Sequence, residues 1–214
     1  MNRKQIYAES SLMFMHVMYD VVMDLLVEEM GCRVDVIILR RYMPWVAESY
    51  TRPSTGPAFQ KEDFRDLQTP WMWTDESKAT LTRIPKAETS QLPWQIRECL
   101  YNLIEIEAKA QWFMKQYSDS ANLHIHEFRT EEITTTNGVR RLLDVLDLDL
   151  GWSDSTIQQL ACQKVNAKPG SSQFSVEDIE NIYLPQYLKE VREQNIQIPP
   201  LPQLRKAEFP SGCR

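Results

Sequence analysis

The sequence predicts an α/β protein built on a parallel sheet, and three short stretches carry that expectation. Val34 to Leu39, VDVIIL, is an apolar run broken only by Asp35, the pattern of a strand buried in a parallel sheet. Ile6 to Ala8 offers a shorter strand, and Leu123 to Phe128 alternates apolar and polar residues with the two-residue period of a strand. Between the first two, Met13, Val17, Val21 and Leu25 recur at helical spacing up to Gly31, a helix stop. Strand, helix and strand in that order make a βαβ unit, whose strands run parallel through a right-handed crossover. All three strands are therefore expected in one parallel sheet.

Residues 50–91 have a different character. Pro53, Pro57, Pro70 and Pro85 interrupt them, and Trp71 and Trp73 stand among polar residues. A loop-rich insertion is expected, with one short helix near Glu62 to Leu67. Connections of this length inside a compact domain are usually functional or disordered. Trp71 and Trp73 either line a ligand pocket or close over the core.

Leu92 to Tyr117 restores a strong helical pattern. Ile96, Leu100, Leu103, Ile104, Ala108 and Trp112 mark one face, and Pro93 suits the first turn. A helix over Val139 to Leu148 follows the third strand, and Ser153 can cap another over Thr156 to Lys164. Ser175-Val176-Glu177-Asp178 is a variant of the capping box. It opens a helix toward Gln194 that Pro185 should kink or split. Pro199, Pro200, Pro202 and Pro210 then make an extended tail. The expected division is one domain over residues 1–195 and a Pro-rich tail over 196–214. No internal repeat is present.

Composition narrows the function classes. With 43% hydrophobic and 25% charged residues the chain is ordinary for a globular protein. Its net charge of −6 argues against nucleic acid as a partner, because phosphate backbones select a basic face. The N-terminus lacks the apolar core of a secretory signal, and 18 consecutive apolar residues occur nowhere. A cytoplasmic protein with no membrane partner is expected. Cys32, Cys99, Cys162 and Cys213 are scattered, without a C-x-x-C pair, which indicates neither a zinc knuckle nor a redox motif. Cys99 and Cys162 read as small core residues.

The candidate site lies where Val34 to Leu39 ends. Ligands of open α/β sheets bind beyond the carboxyl ends of the strands, and Arg40 and Arg41 stand there. Arginine's planar fork suits phosphate. Ser49, eight residues after Arg41 and about two helical turns on, can return toward the same place. The alternative is that the pair serves carboxylates at the strand end. Successive side chains of a strand face opposite ways, so one arginine alone can point at a ligand. Glu9, ending the first strand, is placed either as a general base or as a cap on the following helix. His16 lies farther along that helix, where partial burial competes with a catalytic role. His124 and His126 share a strand face and could chelate a metal, but no third ligand is identifiable, so no metal is assigned. Glu105 and Lys109 form an i, i+4 pair.

Several segments share a further likeness. They are Ile6-Tyr7-Ala8-Glu9-Ser10-Ser11-Leu12-Met13-Phe14, Leu39 to Ser49, CLYNLIEIEAK over Cys99 to Lys109, and His124-Ile125-His126-Glu127-Phe128-Arg129 with the helix after it. In that order, across roughly residues 5 to 190, they resemble the sulfotransferases of the P-loop fold. In this family a hydrophobic strand ends in Arg with a Ser eight residues later. The resemblance implies a three-layer α/β/α fold with a parallel sheet. It also implies transfer of a sulfuryl group from 3′-phosphoadenosine 5′-phosphosulfate to a hydroxyl or amine of a small-molecule or glycan acceptor. Arg41 and Ser49 would hold the 3′-phosphate and Glu9 would be the base.

The chain departs from the family at Ser10, Leu12, Leu100 and Lys109, where Thr, His, Trp and Arg are usual. It also departs in its glycines. The six, at 31, 56, 138, 151, 170 and 212, cannot build a Gly-rich phosphate loop. The expectation is a domain incomplete at its N-terminus, with an open sheet edge that invites a second copy or a partner chain. A non-catalytic interaction or scaffold protein is the alternative function.

Overall fold

In the computed structural model, which describes residues 21–52, 89–161 and 170–206, the chain is organised around one strand pair. Val34–Arg40 (β1) and Leu123–Arg129 (β2) run parallel, with Val34 opposite Leu123 and Arg40 opposite Arg129. Among the described residues the sheet contains these two strands, and every other element is helical or irregular. The protein is thus mixed α/β with a small parallel sheet. Ile6 to Ala8, the third expected strand, lies outside the described residues, as does most of the 50–91 insertion.

The helix ahead of β1, Val21–Glu29 (α1), is wound as a π-helix. Gly31 follows it at φ +61°, and the Cys32 amide donates back to the Leu26 carbonyl at 2.8 Å. A left-handed residue just past a helix end is a usual terminator, and glycine adopts it without a Cβ penalty. Val27 then packs with Phe113 and Leu123, supported by Val34, Val36 and Ile125. This small cluster fills the space between one face of the sheet and the helix Trp94–Gln116 (α3).

Helix α3 is the central element, and it is buried on more than its apolar face. Ile96, Leu100, Ile104 and Phe113 are fully buried, each such side chain stabilising the fold by roughly 1.5–3 kcal/mol. Arg97, Glu98, Glu105, Glu107 and Lys109 are buried too. The Glu105–Lys109 pair forms as the spacing predicts, with Nζ 3.1 Å from Oε1, yet it sits in the interior. Burial pulls the Lys109 ammonium below its ordinary pKa, against the opposing pull of Glu105.

The main core joins α3 to Met43–Tyr50 (α2) and to the helical run over residues 176–193. That run opens at Ser175, whose Oγ accepts the Asp178 amide at 3.0 Å, as the capping pattern predicts. It begins as Val176–Asp178 (α7), widens into a π turn over Ile179–Tyr183, and continues as Leu184–Glu193 (α8). The Leu184 amide bonds to the Ile179 carbonyl, five residues back. Pro185, which has no N–H to give the ladder, follows immediately, so the expected kink takes the form of a widened turn.

Residues 196–206 depart from a simple extended tail. Ile196, Ile198, Leu201 and Leu204 pack against the main core, and Pro202–Leu204 turns as a 3₁₀ helix.

After β2 come Thr130–Ile133 (α4), Thr136–Val145 (α5) and Asp154–Ala161 (α6). Helix α5 starts earlier than periodicity suggests because Thr135 caps it, its Oγ1 accepting the Gly138 amide at 2.9 Å. Three consecutive threonines conceal which one caps. Ser153 caps α6 as expected, its Oγ accepting the Thr156 amide at 3.2 Å. Gly138 sits where α5 turns back onto α4: a Cβ there would lie 1.9 Å from the Glu132 carbonyl oxygen, which is backbone. Gly138→Ala is therefore expected to destabilise the protein by about 1–3 kcal/mol through overpacking. A lowered urea midpoint at unchanged slope would be the signature.

Candidate functional site

The carboxyl ends of β1 and β2 gather an ion-pair network that begins at Arg40. Its Nε and Nη2 donate to Glu107 Oε2 and Oε1 of α3 at 2.8 and 3.0 Å, and its Nη1 donates to Glu127 of β2. The Arg40 and Glu107 side chains are 10% and 5% exposed, whereas Glu127 is 54% exposed. Burial works against the guanidinium charge, but Glu107 and Glu127 together raise the Arg40 pKa above its ordinary value. Gln111 extends the network, its Nε2 donating to Glu107 Oε1 and to the Pro200 carbonyl, both at 2.7 Å.

Arg129, the register partner of Arg40, does similar work on β2. Its Nε lies 3.4 Å from Glu131 Oε2, and its Nη1 and Nη2 donate to the carbonyls of Pro202 and Arg205. Glu131 is buried and accepts the Tyr42 amide at 3.3 Å, which fixes the start of α2. Thr130 Oγ1 donates to the Arg40 carbonyl at 3.2 Å. The two strand ends, α2, α3 and the C-terminal segment are thereby joined by polar groups.

Arg41 takes another course. It lies in the turn between β1 and α2, is exposed, and places its guanidinium carbon 5.9 Å from the centroid of the Trp45 ring. Among the described residues no carboxylate pairs with it. Arg40 is thus engaged by α3 while Arg41 leans toward α2. Ser49 is half-buried on the last turn of α2, within the eight helical residues that follow the arginine. Pro44 sits in the first turn of that helix, where a missing N–H costs nothing.

Glu9, His16, Trp71, Trp73, Cys162 and Cys213 lie outside the described residues. Cys99 is buried in the main core, where burial pushes its thiol up to about 12 and removes it from thiolate chemistry at neutral pH. His126 hydrogen-bonds Asp35 at 3.0 Å across the strands, and His124 is exposed. Among the described residues no three His, Cys, Asp or Glu side chains cluster as a metal site. Burial pushes the Asp35 carboxyl upward, but the His126 bond and the adjacent Arg33 hold it below its ordinary 3.8.

Beside Arg40 the surface opens into a cleft of about 790 Å³. Arg40 and Glu127 line it together with Gln111, Trp112 and Lys115 of α3 and with Pro200, Leu201, Pro202 and Arg205. Sequence spacing carries no trace of this cleft. Its walls are some 70 to 90 residues apart along the chain, and Lys115, Trp112 and Arg205 follow no shared motif.

Two outcomes follow from this geometry. Arg40→Ala would leave the Glu107 carboxylate buried without its cation, at a cost of about 3–5 kcal/mol in stability. Glu107→Gln added to that variant should recover much of the loss in chemical denaturation. Asp35, with its folded-state pKa lowered, adds stability that is complete above its unfolded value and is lost as the pH falls through the folded one. Asp35→Asn should therefore be less stable than the parent at neutral pH, and the difference should shrink in acid below about pH 4 in thermal melts.

No family model matches this chain, and no curated protein or solved structure does either.

Proposed function

We propose that this is a sulfotransferase-like protein of the P-loop fold that binds 3′-phosphoadenosine 5′-phosphosulfate or its desulfated product, with Arg41 and Ser49 on the 3′-phosphate. The observation that carries the reading is the contrast between the adjacent arginines. Arg40 is committed to Glu107 and Glu127, while Arg41 stands at the carboxyl end of a parallel strand, exposed and without a carboxylate among the described residues. A phosphate offered at that end would meet Arg41 first. Ser49, eight residues after Arg41 on helix α2, is the second residue that the resemblance assigns to the phosphate.

The chemistry of such a protein is sulfuryl transfer. A base, for which the resemblance names Glu9, takes the proton of the acceptor hydroxyl or amine. Cations stabilise charge on the departing phosphate. The six dispersed glycines favour a second reading, in which the fold is kept as a non-catalytic binding or scaffold module, because they supply no backbone cradle for the 5′-phosphosulfate.

Calorimetric titration with adenosine 3′,5′-bisphosphate at fixed ionic strength tests the proposal. Arg41→Ala should weaken binding roughly ten- to a hundredfold, the contribution of a charge-assisted bond to phosphate, with circular dichroism unchanged. A parent chain that binds nothing, or an Arg41→Ala variant that binds as well as the parent, would overturn it. Turnover of labelled donor separates the two readings: the missing cradle predicts rates lower by factors of about 10² or more for each absent donor.

A further inference from the structure

The cleft beside Arg40 has a chemistry that the 3′-phosphate reading does not use. Its volume of about 790 Å³ falls within the roughly 300–1,000 Å³ of small-molecule sites. Arg40 is shared between Glu107 and Glu127 and offers no spare positive charge to a ligand. Two further cations line it: Lys115 from the last turn of α3, and Arg205 just after the 3₁₀ turn. Both are exposed, and among the described residues no carboxylate pairs with either. In a chain of net charge −6, a cleft with two uncommitted positive side chains is an exception to the surrounding field. The remaining walls are largely apolar. Trp112, Met114, Leu201 and Pro202 line the same cleft.

The wall formed by the C-terminal segment is held firmly enough to shape a site. Gln111 Nε2 bonds the Pro200 carbonyl at 2.7 Å, and Arg129 bonds the carbonyls of Pro202 and Arg205. Leu201 and Leu204 anchor the same segment in the main core. Prolines at 199, 200 and 202 restrict its backbone further. Little ordering remains to oppose a ligand.

From these features we infer that the cleft is a binding site for an anion carried on a flat apolar body, of the aryl phosphate or aryl sulfate class. Lys115 and Arg205 hold the anion, and Trp112 and Leu201 flank the ring. The site is separate from Arg41, so it stands or falls independently of the nucleotide reading.

The test uses the full chain and 1-naphthyl phosphate as probe, followed by calorimetry at fixed ionic strength, with 1-naphthyl sulfate, 1-naphthol and inorganic phosphate as comparison arms. Lys115→Met and Arg205→Met keep the apolar stems and remove the charges at exposed positions, so folding should be unaffected. Each should weaken 1-naphthyl phosphate about five- to tenfold, and 1-naphthol should not respond to either. Arg41→Ala should leave 1-naphthyl phosphate binding unchanged while it weakens adenosine 3′,5′-bisphosphate roughly ten- to a hundredfold. The comparison of 1-naphthyl phosphate with 1-naphthyl sulfate tells which anion the cleft prefers. The proposal is overturned if the parent shows no saturable binding of either aryl anion. It is also overturned if the Lys115→Met/Arg205→Met double variant binds 1-naphthyl phosphate like the parent, or if inorganic phosphate binds as tightly as the aryl ester.

Discussion

The bidentate pair between Arg40 and Glu107 is the constraint on which the rest of the structure depends. It joins the last residue of a strand to the middle of the central helix, with both side chains nearly out of water. An ion pair in that setting is tolerated only when its geometry recovers the desolvation of both charges. Parallel donation from Nε and Nη2 to both carboxylate oxygens is such a geometry. Because the fork is rigid, it admits little sliding of α3 along β1. The position of α3 against β1 and the mouth of the adjacent cleft are tied to this contact.

Around that contact the protein places more charge in its interior than a small domain commonly holds. Glu105 and Lys109 pair within α3, and Glu131 is held by Arg129 and the Tyr42 amide. The arrangement is not fully satisfied. Among the described residues Arg97 Nε, Glu190 Oε2 and Gln203 Oε1 are buried without a hydrogen-bond partner, each at a cost of about 1–3 kcal/mol. All three lie on elements that pack in the main core, between α3, α8 and the C-terminal segment. Cohesion there comes from apolar contacts such as those of Ile104, Tyr187 and Val191.

Arg40 and Arg41 show how one residue of separation divides structure from chemistry. A strand sends alternate side chains to opposite faces, and here one face of β1 is covered by α3 while Ile37 and Leu39 on the other remain exposed. Arg40 follows the covered face and becomes an anchor. Arg41 leaves the strand altogether and lies against Trp45. The same division recurs at the C-terminal segment, where Leu201 and Leu204 turn into the core and Arg205 stays at the surface.

The sequence by itself determined the local elements. The apolar runs at 34–39 and 123–128 are strands, the 3.6-residue period over 92–117 is a helix, and Ser153 and Ser175 are caps, because period and capping chemistry act over a few residues and need no distant partner. It also placed two arginines at the end of β1. What it could not decide is that Arg40 would be bound into the interior, since that depended on Glu107, 67 residues away, meeting one face of the strand. The burial of Glu105 and Lys109, which look like any surface pair, was likewise decided by packing on several sides of α3. The cleft belongs wholly to the tertiary structure, because its walls come from three parts of the chain that share no motif. Long-range pairing of charges leaves no period in a sequence, and only the fold chooses the partners.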